Sequence, residues 1–159
     1  IDLKSHFYSQ KIIGFKKNKQ FKEMEMSSVI SMYYMRNIDH IATPIPYYLG
    51  LAHYNLGDKK IASEWFNKSL DISPFHLGTL NNKMLVDIES NNFDEAYHTM
   101  CFLENIYPKV YMPRINMIKY CIKANKYELA NTIISSMEEK NINKNMQQKI
   151  DLLKIQLSQ

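Results

Sequence analysis

The sequence predicts an all-α protein built from repeated pairs of helices. The first observation is an internal period of 34 residues, which separates Ala62, Ala96 and Ala130. The second is that apolar residues within each copy recur every three or four positions in two blocks, as on one face of an α-helix. The third is a Gly or Asn between the two blocks, because both tolerate the left-handed backbone that often ends a helix. Two helices joined by a tight turn explain all three observations.

Five columns of this repeat run through three copies without a gap, and a sixth column, of proline, runs through two. The small side chain of the alanine column allows two helices to lie close together where they cross. The proline column ends each second helix, because proline cannot continue the ladder of i→i−4 hydrogen bonds. In chain order the columns are Gly57, Asn91 and Asn125; Lys59, Phe93 and Tyr127; Ala62, Ala96 and Ala130; Phe66, Met100 and Ile134; Ser69, Leu103 and Met137; and Pro74 and Pro108, with Ile142 at the third place.

Two of the four glycines lie seven residues apart in the stretch PYYLGLAHYNLGD, residues 46–58. A glycine in a helix interior costs about 1 kcal/mol relative to alanine. Gly50 is therefore predicted to serve the close packing of two helices. Gly57 is predicted to end the helix and begin the turn.

These residues resemble the tetratricopeptide repeat (TPR) family. The second copy departs from the family pattern, since Lys83 and Met84 stand where the pattern has Leu-Gly. The resemblance implies a right-handed superhelical solenoid of antiparallel helix pairs, with about eight to nine helices. The first copy matches the pattern at Tyr47, Leu49, Gly50, Tyr54, Gly57, Ala62, Phe66, Ser69 and Pro74.

One TPR-like domain is predicted over the whole chain. Upstream of the three repeats, NKQFKEMEM resembles the NNFDEAYHTM of the second copy and predicts a divergent helical pair, with Tyr8, Ile12 and Phe15 on the inner face of its first helix. Downstream, apolar residues at helical spacing with a polar opposite face predict a capping helix. The predicted boundaries are 1–159 for the domain, 5–38 for the divergent pair, 43–76, 77–110 and 111–144 for the repeats, and 145–157 for the cap, whose apolar stripe is Met146, Ile150, Leu153 and Leu157.

The composition is that of a globular protein without a strong charge bias. Of 159 residues, 45% are hydrophobic and 23% charged, and the net charge is +4. Basic and acidic residues are intermixed, whereas a dense basic stripe is typical of a nucleic-acid-binding protein. No apolar run approaches the roughly 18 residues that a membrane-spanning helix needs. We therefore expect no nucleic-acid partner and no membrane insertion by this chain.

The sequence offers no catalytic constellation. None of the histidines pairs with a second His, Cys or carboxylate at metal-ligand spacing, and there is neither a glycine-rich phosphate loop nor a serine elbow. We therefore expect no enzymatic activity, no metal and no cofactor. Cys101 and Cys121 lie too far apart for a metal or redox motif. They are expected to be small buried hydrophobic residues, and a disulfide between them stays open.

The resemblance implies that the first helix of each repeat lines a concave groove, and that the groove binds a peptide or partner protein. A carboxylate clamp is excluded, because only Asn82 matches its five positions in the family. The alternative for the first two tyrosines is packing against the segment 38–42. The expected groove residues are Tyr47, Tyr48, Leu51, Tyr54 and Asn55 in the first copy, Asn81, Asn82, Leu85 and Glu89 in the second, and Met112, Ile115, Asn116, Lys119 and Lys123 in the third.

A narrower resemblance concerns TPIPYYLGLAHYNLGD (43–58) and SPFHLGTLNN (73–82). These stretches are similar to repeat domains at the C-terminal end of bacterial O-antigen ligase and polymerase-like membrane proteins. That resemblance implies an extracytoplasmic accessory domain of a glycosyl-transferring enzyme whose catalytic residues precede Ile1; otherwise a cytoplasmic location is expected. A third hypothesis is the repeat part of a peptide-sensing regulator. A homodimer through the solenoid ends is also predicted, because the divergent first pair leaves an apolar edge.

Overall fold

The computed structural model describes residues 3–34, 37–138 and 142–157. These ranges hold nine α-helices and no strand, which confirms the predicted all-α class with eight to nine helices. The predicted segments 5–38 and 111–144 each include a few residues that lie outside the described ones. In chain order the helices are α1 (Leu3–Lys17), α2 (Phe21–Tyr33), α3 (Ile45–Leu56), α4 (Lys59–Ile72), α5 (Leu77–Glu89), α6 (Phe93–Ile106), α7 (Met112–Lys123), α8 (Tyr127–Glu138) and α9 (Lys144–Leu157).

The chain divides into two compact units, Ile1–Ser90 and Asn91–Gln159, and each is described by itself. Unit 1 contains α1 to α5. Each of its helices packs against the next along the chain, and α3 also contacts both α1 and α5. Unit 2 contains α6 to α9, in which α7 packs against the other three helices and α8 also contacts α9. Contacts between neighbours and between alternate helices are what stacked helix pairs require.

The turns between paired helices use the left-handed backbone that the sequence predicts. Gly57 ends α3 with φ of 96°, and Asn91 and Asn125 have φ of 61° and 57°. Lys19, between α1 and α2, has φ of 56°. It occupies the position that aligns with Asn91 when NKQFKEMEM is placed over NNFDEAYHTM. The same left-handed backbone therefore follows four of the described helices, α1, α3, α5 and α7.

The core of unit 1 depends on a close approach of α3 and α4. A Cβ built on Gly50 would lie 2.5 Å from two ring carbons of Phe66, and the Phe66 side chain is completely buried. The predicted packing role of Gly50 is therefore confirmed. Ala62, one turn before Phe66, is also fully buried. The other buried members of this core are Ile12, Met24, Ile45, Tyr47, Tyr48, Ala52 and Val86.

The core of unit 2 is formed by the apolar faces of α7, α8 and α9. Ala130, Ile134 and Met137, which belong to three of the repeat columns, are at most 2% exposed. On α9, Met146, Ile150 and Leu153 are buried while most of the opposite face is exposed. Further buried side chains of this unit are Ile115, Met117, Ile118, Cys121 and Ile133.

The two cysteines differ in environment. Cys121 is buried, and burial raises the pKa of its thiol. Cys101 is exposed, so the expectation that both cysteines are buried is wrong for Cys101, and both thiols are free. Position 101 follows the buried Met100 column by one residue, which turns its side chain about 100° away from the core face of α6.

None of the described helices combines the length and the hydrophobicity that crossing a bilayer takes.

Candidate partner-binding site

The first predicted groove helix, α3, turns Tyr48 into the core of unit 1. Its side chain is 1% exposed, and its hydroxyl donates a hydrogen bond of 2.6 Å to Oδ2 of Asp39. Burial and the Asp39 interaction raise the pKa of the Tyr48 hydroxyl. The other oxygen of Asp39 accepts hydrogen bonds from the backbone N–H groups of Ile41 and Thr43. For Tyr48, the structure therefore shows packing against the preceding segment, and this leaves the side chain almost no surface for a partner.

Tyr47 is also buried, at 6% exposure, and its ring lies near Lys16 of α1, Phe66 of α4 and His76 before α5. Its ring meets the ring of His76 edge-on with 4.9 Å between centroids. Its hydroxyl accepts a hydrogen bond of 3.2 Å from Lys16 Nζ, and the same ammonium lies 4.8 Å from the ring centroid. Burial, reinforced by the charge of Lys16, lowers the pKa of the His76 imidazole. Tyr47 thus ties α1 to α3 and to the start of α5.

Most of the remaining α3 and α5 positions are partly exposed, and Asn55 is exposed. The polar groups of four of them form contacts within unit 1, whereas the buried Oδ1 of Asn81 has no hydrogen-bond partner in the described part of the chain. The Tyr54 hydroxyl donates to Glu89 Oε1 at 2.7 Å, and Lys59 Nζ lies 2.9 Å from Glu89 Oε2. Asn55 and Asn82 each donate from Nδ2 to the backbone carbonyl four residues earlier, at Leu51 and Gly78. Leu51, Asn81 and Leu85 are partly buried. The polar side chains of Tyr54, Asn55, Asn82 and Glu89 therefore form hydrogen bonds or ion pairs within unit 1.

The predicted α7 residues are different, because three of them line an open cleft within unit 2. Met112, Ile115 and Lys119 form one wall, and residues of α9 form the other. The cleft has a volume of about 250 Å³. Asn116 and Lys123 lie on the same helix but do not line it. The lining residues from α9 are Lys149, Leu152, Leu153 and Gln156.

Helical spacing explains how each wall is formed. On α7 the lining residues are spaced at i, i+3 and i+7, which places them on one face over two turns, about 10 Å. The α9 residues from 149 to 156 have the same span. Ile115 and Leu153 are 2% and 4% exposed and form the floor, whereas Met112 and Leu152 are 48% and 64% exposed at the rim. The cleft is therefore apolar inside and accessible from solvent.

The electrostatics of this cleft are set by two lysines. Lys119 and Lys149 are exposed, and within the described ranges neither forms an ion pair. By contrast Lys154, also on α9 but outside the lining, lies 2.7 Å from Glu138. None of the described lining residues is acidic. The two unpaired ammonium groups therefore make the mouth of the cleft positive.

Sequence reasoning missed the α9 wall, because it treated the side of α9 away from the apolar stripe as a polar cap. Leu152 and Ile155 lie beside that stripe and are exposed. Two large apolar side chains outside the predicted buried face were the available signal.

No group of three or more His, Cys, Asp or Glu among the described residues is arranged to hold a metal ion.

Comparison with known proteins finds solved structures with a similar fold at 15–16% sequence identity. No family model matches the chain, and no curated protein matches it. The solved structure described as "MamA AMB-1 P212121" superposes with a TM-score of 0.66 at 15% identity, covering 99% of this chain and 85% of that one. "MamA MSR-1 C2" gives 0.65 at 15% identity, covering 84% and 75%. "MamA AMB-1 C2221" gives 0.65 at 16% identity, covering 84% and 76%. MamA is a TPR-like helical protein, so these likenesses show a TPR-like fold for this chain.

Proposed function

We propose that this chain is a non-catalytic protein-interaction module that holds a peptide or partner protein against α7. The observation that carries the proposal is the cleft between α7 and α9. It combines an apolar floor, exposed apolar rims and two lysines that form no ion pair with any described residue. An accessible apolar surface bordered by polar groups is typical of a site where another protein docks.

The TPR-like fold supports the same function. Stacked helix pairs present their first helices on one concave face, and such faces are extended binding surfaces. Met112, Ile115 and Lys119 are positions that the TPR resemblance assigns to that face and that line the α7–α9 cleft. The roles that the resemblance assigns to Leu51, Asn81, Asn82, Leu85, Asn116 and Lys123 stay predictions. It assigns no catalytic residue and no cofactor.

Two finer hypotheses from the sequence remain hypotheses. The accessory-domain role beside an O-antigen ligase-like enzyme rests on the stretches 43–58 and 73–82, and the comparisons do not support that link. The predicted homodimer has one structural correlate, since α1 and α2 expose several large apolar side chains. These are Leu3, Phe7, Met26, Val29 and Tyr33.

The test is partner capture followed by measurement with the purified partner. The chain is immobilised and exposed to extracts of the source cell, captured proteins are identified by mass spectrometry, and the best candidate is purified and titrated by calorimetry. We expect the Met112→Ser/Lys119→Glu variant to bind that partner at least tenfold more weakly than the parent chain. The matched control is Lys144→Glu, which changes an exposed lysine of α9 outside the cleft. Equal binding by all three chains, or no specific partner, would contradict the proposal.

A further inference from the structure

We propose that the α7–α9 cleft recognises a short acidic segment of a partner protein, in which two large apolar side chains at positions i and i+2 are flanked by carboxylates. This inference rests on the proposed function and names the chemistry of its ligand. It also places the recognition site within unit 2, with α9 as a binding helix in addition to its role as a cap.

The size of the cleft favours side chains over a small molecule. Pockets for drug-sized ligands and cofactors are typically about 300–1,000 Å³, whereas this cleft has about 250 Å³. Its walls extend over two helical turns, about 10 Å. An extended chain rises about 3.3 Å per residue, so roughly three residues of a peptide span the cleft. Side chains at positions i and i+2 of an extended segment lie on the same face, so two apolar side chains of such a stretch can enter the cleft together.

The residues that line the cleft favour apolar anchor side chains on the ligand, but they do not select a single residue type. Ile115 and Leu153 give a fixed floor, because both side chains are almost completely buried. Met112 and Leu152 at the rim are half-exposed or more. Methionine is unbranched and adapts to different apolar shapes. The cleft should therefore accept leucine, isoleucine, methionine or phenylalanine at the anchor positions.

Charge complementarity identifies the flanking residues of the ligand. Three other lysines, Lys59, Lys83 and Lys154, lie in ion pairs with Glu89, Asp87 and Glu138. Lys119 and Lys149 are not paired within the described ranges, and both line the cleft. Carboxylates on either side of the apolar anchors would complete both pairs. A lysine-flanked segment would instead meet two like charges, and such juxtaposition disfavours the wrong partner.

The experiment selects a ligand without assuming its sequence. A phage library of random twelve-residue peptides is panned against the 159-residue chain. The most enriched peptide is synthesised with a fluorophore, and its dissociation constant is measured by anisotropy. The proteins compared are the parent, the Lys119→Glu/Lys149→Glu variant, the Leu152→Ser variant and the control Lys144→Glu.

We expect enriched peptides to carry Asp or Glu beside two large apolar residues. The double charge reversal should weaken binding at least thirtyfold and Leu152→Ser at least fivefold, while Lys144→Glu stays within twofold of the parent. Raising the salt concentration should weaken binding to the parent and not to the double variant, because salt screens exposed charge pairs.

The outcomes separate this inference from the proposed function. Enriched peptides that lack acidic residues but bind the Leu152→Ser variant more weakly overturn the acidic-ligand inference and leave the proposed function standing. Peptides that bind the cleft variants as tightly as the parent count against both. A library from which no peptide is enriched counts against both. A third outcome is binding that depends on the two lysines but is unchanged by Leu152→Ser. It would show that the ligand contacts surface lysines without apolar anchoring, and it also overturns the inference.

Discussion

The backbone of Gly50 packs directly on the ring of Phe66, so closely that a Cβ at position 50 would lie 2.5 Å from ring carbons Cδ1 and Cε1. Phe66 is fully buried and cannot move aside without disturbing its neighbours. This contact sets the spacing of α3 and α4 in unit 1. It also explains why a helix interior contains its least favourable residue other than proline.

The first prediction concerns this contact. Gly50→Ala gains about 1 kcal/mol of helix propensity, but overpacking a tight core site typically costs 1–3 kcal/mol and here meets a buried ring. We expect a net loss of about 1–2 kcal/mol in the free energy of unfolding, measured by urea denaturation. The matched control is Gly14→Ala, because a Cβ at position 14 meets nothing within 4 Å. That substitution should stabilise the chain, and a stabilising Gly50→Ala would show that α3 and α4 are not in this contact.

The second prediction concerns the left-handed turns. A Cβ at Gly57 meets no neighbouring atom, so any effect of Gly57→Ala comes from its φ of 96°. We expect a loss of about 1 kcal/mol, since L-residues pay about 1–2 kcal/mol in this conformation. Lys19 has φ of 56° without being glycine, and Lys19→Gly should raise the unfolding free energy by about 0.5 kcal/mol. Thermal melting of both variants gives the two opposite signs; a shift of the same sign in both would refute the assignment.

The third prediction concerns the loop before α3. Tyr48→Phe removes the hydroxyl that donates to the buried Asp39 carboxylate. Hydrogen bonds to charged groups contribute about 1.5–3 kcal/mol, so we expect a loss of that size in urea unfolding. Tyr33→Phe is the control, because Tyr33 is 81% exposed, and it should change stability by less than about 0.5 kcal/mol. Equal effects of the two substitutions would contradict the anchoring role of Tyr48.

The fourth prediction concerns a buried cation in unit 2. Arg114 is 1% exposed, with Nη2 lying 3.1 Å from Oε1 of Glu104 and the ring centroid of Tyr111 lying 5.3 Å from Cζ. Desolvation lowers the pKa of this guanidinium. Glu104→Gln removes the partner charge and should cost less than the about 3–5 kcal/mol of a fully buried pair, because the Glu104 side chain is 20% exposed.

The matched variant removes the charge itself. Arg114→Met keeps an apolar side chain of useful length in place of the guanidinium, and we expect it to lie within about 1 kcal/mol of the parent. Adding Arg114→Met to Glu104→Gln should therefore restore most of the lost stability. A double variant as unstable as Glu104→Gln alone would show that the ion pair is not the cause.

The sequence was sufficient to predict features that depend on local backbone and on periodicity. Gly57, Asn91 and Asn125 share a column because each turn needs a residue that accepts positive φ, and Ala62 is small because two helices meet there. A turn that needs positive φ and a crossing that needs a small side chain each restrict the residue type at one position of every repeat. These restrictions can be read from the sequence as a residue type that recurs at a fixed spacing. The helices of the three repeats, α3 to α8, follow from the same pattern.

The orientation of α3 toward its surroundings could not be predicted in the same way. Tyr47 and Tyr48 occupy positions that the repeat assigns to an open face, yet Asp39, Lys16 and His76 cover them. Asp39 lies in a segment outside the 34-residue repeats. The repeat pattern therefore could not predict its hydrogen bond with Tyr48. The α7–α9 cleft was half predicted for a similar reason, because its α7 wall follows the repeat and its α9 wall does not.

The fifth prediction concerns two adjacent leucines of α9 that lie in different environments. Leu153 is 4% exposed at the floor of the cleft, and Leu152 is 64% exposed at its rim. Leu153→Ala should cost about 2–4 kcal/mol because it leaves a cavity in a packed core. Leu152→Ala should change the free energy of unfolding by less than about 0.5 kcal/mol. Urea denaturation of both variants checks this difference, and comparable losses would mean that Leu152 is covered in the folded chain and unable to anchor a ligand.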